Sequence, residues 1–156
     1  SSDLFLAGPW GSEVTQILTR LPDWRARFAA EMDRQRRDAF AWGAQDCALG
    51  LAAGAVEALT GTDLRIGWRG KYKTPAGALK AVKAKGFDGL PDLIASLLPE
   101  IPPAFADVGD IGVIHVDDGA LGQALCVVDA SGLIVLTEAG HGRRPREDMI
   151  RAFKVG

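Results

Sequence analysis

The sequence predicts an α+β domain, with helices first and an antiparallel β-meander after them. Three observations carry this. Apolar residues recur at helical spacing as far as about Leu98. After Asp107 the period shortens to that of extended chain, and Asp118-Gly119 then supplies a strong two-residue hairpin signal. Helices followed by consecutive hairpin-linked strands is the α+β order. At 156 residues the chain makes one domain and buries a core without disulfide staples.

Residues 1–20 read as an N-terminal arm with a short helix, and residues 21–156 as the domain. The arm carries Leu4, Phe5, Leu6 and Trp10 in a segment too short to bury itself, so it is expected to be covered by another chain. Ser12 caps a helix that runs to about Leu21. Pro22 opens a second, from Asp23 to roughly Asp38, with Trp24, Phe28 and Met32 four apart on one stripe. A third helix starts after Asp46 and stops at Gly61, where a left-handed residue ends it. Residues 62–73 form a loop rich in glycine, aromatic and basic residues. Thr74-Pro75 then opens a helix by cap and first-position proline, and Gly86 closes it. A short helix covers about Leu90 to Leu98, broken by the prolines from Pro99 to Pro103. Strands follow at Asp110–Asp117, Ala120–Val128 and Gly132–Glu138, with a fourth at Ile150–Val155.

Composition excludes several classes. A net charge of −2 and a pI near 5.7 give no electrostatic basis for binding nucleic acid or an anionic membrane surface. The arginines Arg20, Arg25, Arg27, Arg34, Arg36 and Arg37 are spaced as a solvated helix face, with a partner surface as the second reading. No apolar run approaches a membrane span, and no basic segment leads into a signal-type core. The Ser1-Ser2 opening reads as the residue of initiator-methionine removal, so synthesis in the cytoplasm without export is expected. Two cysteines make no disulfide framework. Two histidines and two cysteines show no metal-ligand spacing, so neither metal nor other cofactor is expected.

The chemistry concentrates at Phe40-Ala41-Trp42-Gly43-Ala44-Gln45-Asp46-Cys47. Cys47 falls in the first turn of a buried helix, directly after a residue suited to cap it. The partial positive charge at a helix start favours thiolate, the nucleophilic form. A small buried hydrophobe is the other reading of such a cysteine. Cys126, between Leu125 and Val127, reads as a core residue of its strand.

Phe40-x-Trp42-Gly43-x-x-Asp46-Cys47, followed by Leu59-Thr60-Gly61-Thr62-Asp63, Arg69-Gly70-x-Tyr72-x-Thr74 with Gly77-Ala78, and Gly109-Asp110, resembles the NlpC/P60 superfamily. Within it the likeness is to the small phage-tail branch, and it extends from about Leu21 to the C-terminus. The resemblance implies a papain-like fold, with a cysteine at a helix start packed on an antiparallel sheet. Its active members are peptidoglycan endopeptidases that cleave stem peptides by thiolate attack. In tailed phages such domains sit at the tail tip, or baseplate, or assist tail assembly. The implied partners are therefore other tail or baseplate proteins, with cell-wall peptide as the implied substrate, and the implied destination is the virion tail.

One departure separates this chain from active members. They carry a His-x-Gly at the start of the second strand, whereas the aligned stretch here is Ala120-Leu121-Gly122, which puts Ala120 at the base position. Peptide cleavage needs a proton donor for the leaving amine, so loss of that histidine implies a degenerate site and a mainly structural role. A working peptidase would need a substitute. If Asp118-Gly119 are the turn, Asp117 pairs with Ala120, Val116 with Leu121 and His115 with Gly122, so residues 115, 117, 120 and 122 share a face. His115 would then lie beside Ala120 as the substitute base, or be an ordinary sheet histidine. His141 reads as a solvated loop residue. Trp68, Arg69, Lys71 and Tyr72 form either a glycan- or peptide-binding rim or a loop packed on the core. Asp110 is read as fixing a turn or capping a neighbouring element rather than doing chemistry.

Overall fold

The computed structural model describes residues 18–117 and 122–156. The arm, the helix from Ser12, the Asp118-Gly119 turn and Ala120 lie outside the described residues. Among the described residues four helices precede the main sheet: α1 (Trp24–Gln35), α2 (Ala53–Thr60), α3 (Pro75–Ala84) and α4 (Leu90–Ala95). A π-helical stretch, Cys47–Ala52, runs directly into α2. The strands are β1 (Glu100–Ile101), β2 (Ile111–His115), β3 (Gln123–Asp129), β4 (Gly132–Thr137), β5 (Gly140–Arg144) and β6 (Met149–Phe153). They form one open antiparallel sheet in the order β1-β6-β2-β3-β4-β5.

The expected helix stops hold. Gly61 ends α2 at a φ of 81°, in the left-handed region that favours glycine. Thr74 caps α3 by accepting from the Gly77 N–H, with Pro75 in the first turn. The sheet departs from the expected meander in three ways, of which the first is the short strand β1 beside β6, in a stretch expected only to break a helix. β6 returns past the whole meander to pair with β2, and β5 occupies a stretch expected to be a loop.

The sheet separates two apolar layers. On one face Ile111, Val113, Leu125, Val127 and Phe153 meet the helices through Leu51, Val56, Leu59 and Leu98. On the other, Ile114, Cys126, Val128, Leu133 and Met149 lie under Ala106. This alternation sets the β2–β3 register. Ile111 pairs with Val127, Val113 with Leu125 and His115 with Gln123, while the Val116 N–H donates to the Gly122 carbonyl at 3.1 Å. The expected pairing of His115 with Gly122 is therefore corrected by one residue. A one-residue slip would turn every apolar side chain of β3 to the wrong layer, so core burial overrides the local turn signal.

α1 shows the same ranking of forces. Its arginines pair with acids of their own surface, Arg27 with Asp23, Arg34 with Glu31 and Asp38, Arg36 with Asp33. Such exposed pairs contribute about 0–1 kcal/mol each. Burying Phe28 and Met32 contributes about 1.5–3 kcal/mol each, so the apolar stripe holds the helix.

Arg20, one residue before the expected start of the domain, is anchored on it by its side chain. Arg20 Nε donates to the Val155 carbonyl and Nη1 to the Val108 carbonyl, both at 2.7 Å, and Nη2 pairs with Asp110 at 3.0 Å. Asp110, 1% exposed, also accepts from the N–H groups of Val155 and Asp107. It fixes the turn into β2, as expected, and ties Arg20 and Val155 to it.

Candidate functional site

The block from Trp42 to Cys47 is built around the Asp46 carboxylate. Its side chain is 1% exposed and accepts four hydrogen bonds. Oδ1 takes the N–H groups of Ala48 (3.0 Å) and Leu49 (2.8 Å), which caps the helix start. Oδ2 takes the Gly43 N–H (2.9 Å) and the Tyr72 hydroxyl (2.6 Å). The loop 67–73 is stapled to the same place by the Gly70 N–H donating to the Gly43 carbonyl at 2.9 Å. Gly43 sits at φ 83°, and a Cβ there would lie 2.1 Å from the Tyr72 carbonyl oxygen. Only glycine lets these two backbones approach so closely. The Trp-Gly-x-x-Asp-Cys and Arg-Gly-x-Tyr blocks are thus two halves of one interlocked turn.

Cys47 occupies the first position after that cap, as expected, but its chemistry differs from expectation. It is 7% exposed, and burial followed by the negative charge of Asp46 pushes its pKa up to about 12. Hydrogen bonding from the Leu125 backbone favours the thiolate without offsetting these effects. At neutral pH Cys47 is a thiol. The helix start cannot reverse this, because the carboxylate that satisfies its N–H groups is itself an anion beside the sulfur. Cys126 is fully buried on the far face of the sheet, and burial pushes its pKa up to about 12 as well.

A groove reaches Cys47 between the loop 40–42 and the start of β3. Its described lining includes Phe40, Trp42, Val116, Gln123, Ala124 and Thr137. The Phe40 and Trp42 rings meet edge to face, with centroids 5.0 Å apart. Strand alternation places His115 on the helix-facing side of the sheet with Val113 and Gln123. His115 is exposed at the end of β2 and is not among the groove's described lining residues. No hydrogen bond joins Cys47 to a histidine among the described residues.

Of the other candidates, Trp68 (4% exposed) and Tyr72 (9% exposed) are buried and line the apolar space between Cys47, α3 and α4. Trp68 and Tyr72 pack on the core, with the Tyr72 hydroxyl taken by Asp46, while Arg69 and Lys71 are exposed. Burial and the Asp46 charge hold the Tyr72 hydroxyl well above the usual tyrosine range. Arg69 is surface-exposed and pairs with Asp63 at 3.3 Å. His141 lies on β5 rather than in a solvated loop, with Nε2 3.3 Å from Gln35 Oε1. Gln35 itself is fully buried. The stripe Phe28, Met32, Gln35 continues at helical spacing, so a polar residue on the buried face of α1 was legible and was missed. Among the described residues no cluster of three or more metal-ligating side chains occurs, and no helix is long and apolar enough to cross a membrane.

A family model described as a domain of unknown function, DUF6950, matches residues 19–155. The chain belongs to that family. Its match begins one residue before Arg20, in keeping with the place of that side chain in the fold. No curated protein and no solved structure matches the chain.

Proposed function

We propose that this chain is a phage or prophage tail-tip (baseplate) or tail-assembly protein with an NlpC/P60-like, papain-like fold, mainly structural and with a degenerate catalytic site. Its partners are then other tail or baseplate proteins, and its destination is the virion tail. The observation that carries the reading is the state of Cys47, a buried thiol whose pKa is pushed up to about 12 and which no described histidine contacts. The resemblance of the Trp42–Cys47 and Arg69–Tyr72 blocks supports the fold, and the interlocking of these blocks around Asp46 supports their use as scaffold. The alternative is an active cysteine peptidoglycan endopeptidase with Cys47 as nucleophile and His115 as base. It draws on the groove that reaches Cys47 and on the helix-facing position of His115.

The two readings separate on purified peptidoglycan. A general base contributes about 10²–10⁴-fold, so its absence reduces cleavage to background. Wild type, Cys47→Ala and His115→Ala are expected to release no stem-peptide fragments by mass spectrometry. Turnover by the wild type that disappears in both variants would establish the endopeptidase instead.

A further inference from the structure

Among the described residues a third buried polar centre, after those of Asp46 and Asp110, lies behind the Cys47 turn. Gln35 uses all of its hydrogen-bonding capacity there. Nε2 donates to Glu31 Oε2 (2.8 Å) and to the Gly50 carbonyl (2.9 Å), and Oε1 faces Gln45 Nε2 and His141 Nε2, each at 3.3 Å. A carbonyl only accepts, so the Gly50 contact fixes which end of the amide is which. Oε1 must then accept from His141, and the neutral imidazole carries its proton on Nε2. Two glycines make room for this centre. A Cβ at Gly50 would lie 2.6 Å from Gln45 Oε1, and one at Gly54 would lie 2.5 Å from both Gln35 Nε2 and Glu31 Oε2. Glycine is disfavoured inside a helix relative to alanine, so the slot is kept against local preference.

The network grips the cysteine turn from both sides, through Gln45 two residues before Cys47 and Gly50 three residues after it. Its outer end is a half-buried ionisable group on β5, which among the described residues is a sheet-edge strand paired on one side only, and which contains Gly140 and Gly142. Such an edge opens at low cost. The charged groups near His141 from α1 and its C-terminus are Arg36, itself paired with Asp33, and Glu31 behind Gln35, itself paired with Arg34. Burial and then Arg36 hold the His141 pKa below the ordinary histidine value. The folded state therefore favours neutral His141. Its contribution is present above the unfolded value of about 6.5 and is lost as pH falls below that toward the folded one.

We propose that His141, Gln35, Gln45 and the Gly50 carbonyl form a pH-sensitive latch, in which protonation of His141 releases β5 from α1 and loosens the turn that carries Cys47. A protonated imidazole adds a second cation beside Arg36 in a half-buried space. It gains hydration only by leaving, and β5 leaves with it. Gln35 Oε1 then keeps only Gln45, and the carboxamide is free to turn away from Gly50. The latch does not depend on whether the site is catalytic.

Hydrogen exchange of the full chain tests it at about pH 7.5 and about pH 5, on either side of the ordinary histidine value. After correction for intrinsic exchange, residues 140–144 and 45–51 are both expected to open more often at the lower pH. His141→Gln, which keeps a donor without the titration, should remove that difference at both segments. Arg36→Gln should shrink it while leaving the fold intact. An equal acid response in His141→Gln would overturn the latch, as would opening of 140–144 with 45–51 unchanged, or no response in the wild type.

Discussion

Asp46→Ala is expected to lower the stability of the domain by about 3–5 kcal/mol, measured by urea or guanidinium unfolding. The substitution leaves three backbone N–H groups and the Tyr72 hydroxyl without their acceptor inside the protein. A buried donor left unsatisfied costs about 1–3 kcal/mol, and loss of a helix cap alone costs about 0.5–2 kcal/mol. Relaxation of the loop 40–46 toward water offsets part of the sum, which is why the total falls short of four full penalties. Asp46→Asn keeps a single acceptor oxygen and should fall between the variant and the wild type. An Asp46→Ala protein as stable as the wild type to within about 1 kcal/mol would mean that the carboxylate is not the organiser of the turn.

Arg20→Ala is expected to cost a similar amount, about 3–5 kcal/mol, by leaving Asp110 as a buried charge without its partner. The effect reaches beyond one ion pair, since Arg20 also holds the carbonyls of Val108 and Val155. It joins the entry of the chain to β2 and to the segment after β6. A truncation that starts at residue 18 should therefore unfold like the full chain, while one that starts at residue 21 should behave like Arg20→Ala. Equal stability of the two truncations would leave the domain boundary at residue 21.

The sequence carried much of this architecture, for local reasons. The stops at Gly61 and Gly86, the Thr74-Pro75 start and the Asp46 cap are written in single residues whose backbone or side-chain chemistry decides the outcome. The second strand was legible as extended but not in register. Its pairing depends on which layer Leu125 and Cys126 enter, a tertiary fact that the Asp118-Gly119 signal does not contain. β5 was missed because Gly-His-Gly-Arg-Arg has almost no strand propensity and pairs only by its place beside β4. Of the two readings of Cys47, reactive thiolate or small buried hydrophobe, the burial of the sulfur favours the second. Helix-start geometry favours a thiolate, but that argument omits both the burial of the sulfur and the charge of the capping residue. Tyr72 reads in sequence as a candidate for binding, and only the fold shows its hydroxyl spent on Asp46.

Cys47 as an inert, protonated thiol in a scaffolded turn is tested most directly by its alkylation rate against pH. The native protein would be exposed to iodoacetamide and modification at Cys47 and Cys126 quantified by mass spectrometry, with the urea-unfolded chain as reference. A thiol with its pKa raised from 9.0 to about 12 should react roughly a thousandfold more slowly at neutral pH than the unfolded one. Its rate should still be climbing at the highest pH at which the fold survives. Reaction of native Cys47 at the unfolded rate near neutral pH, lost in His115→Ala, would contradict this and identify a thiolate activated by that histidine.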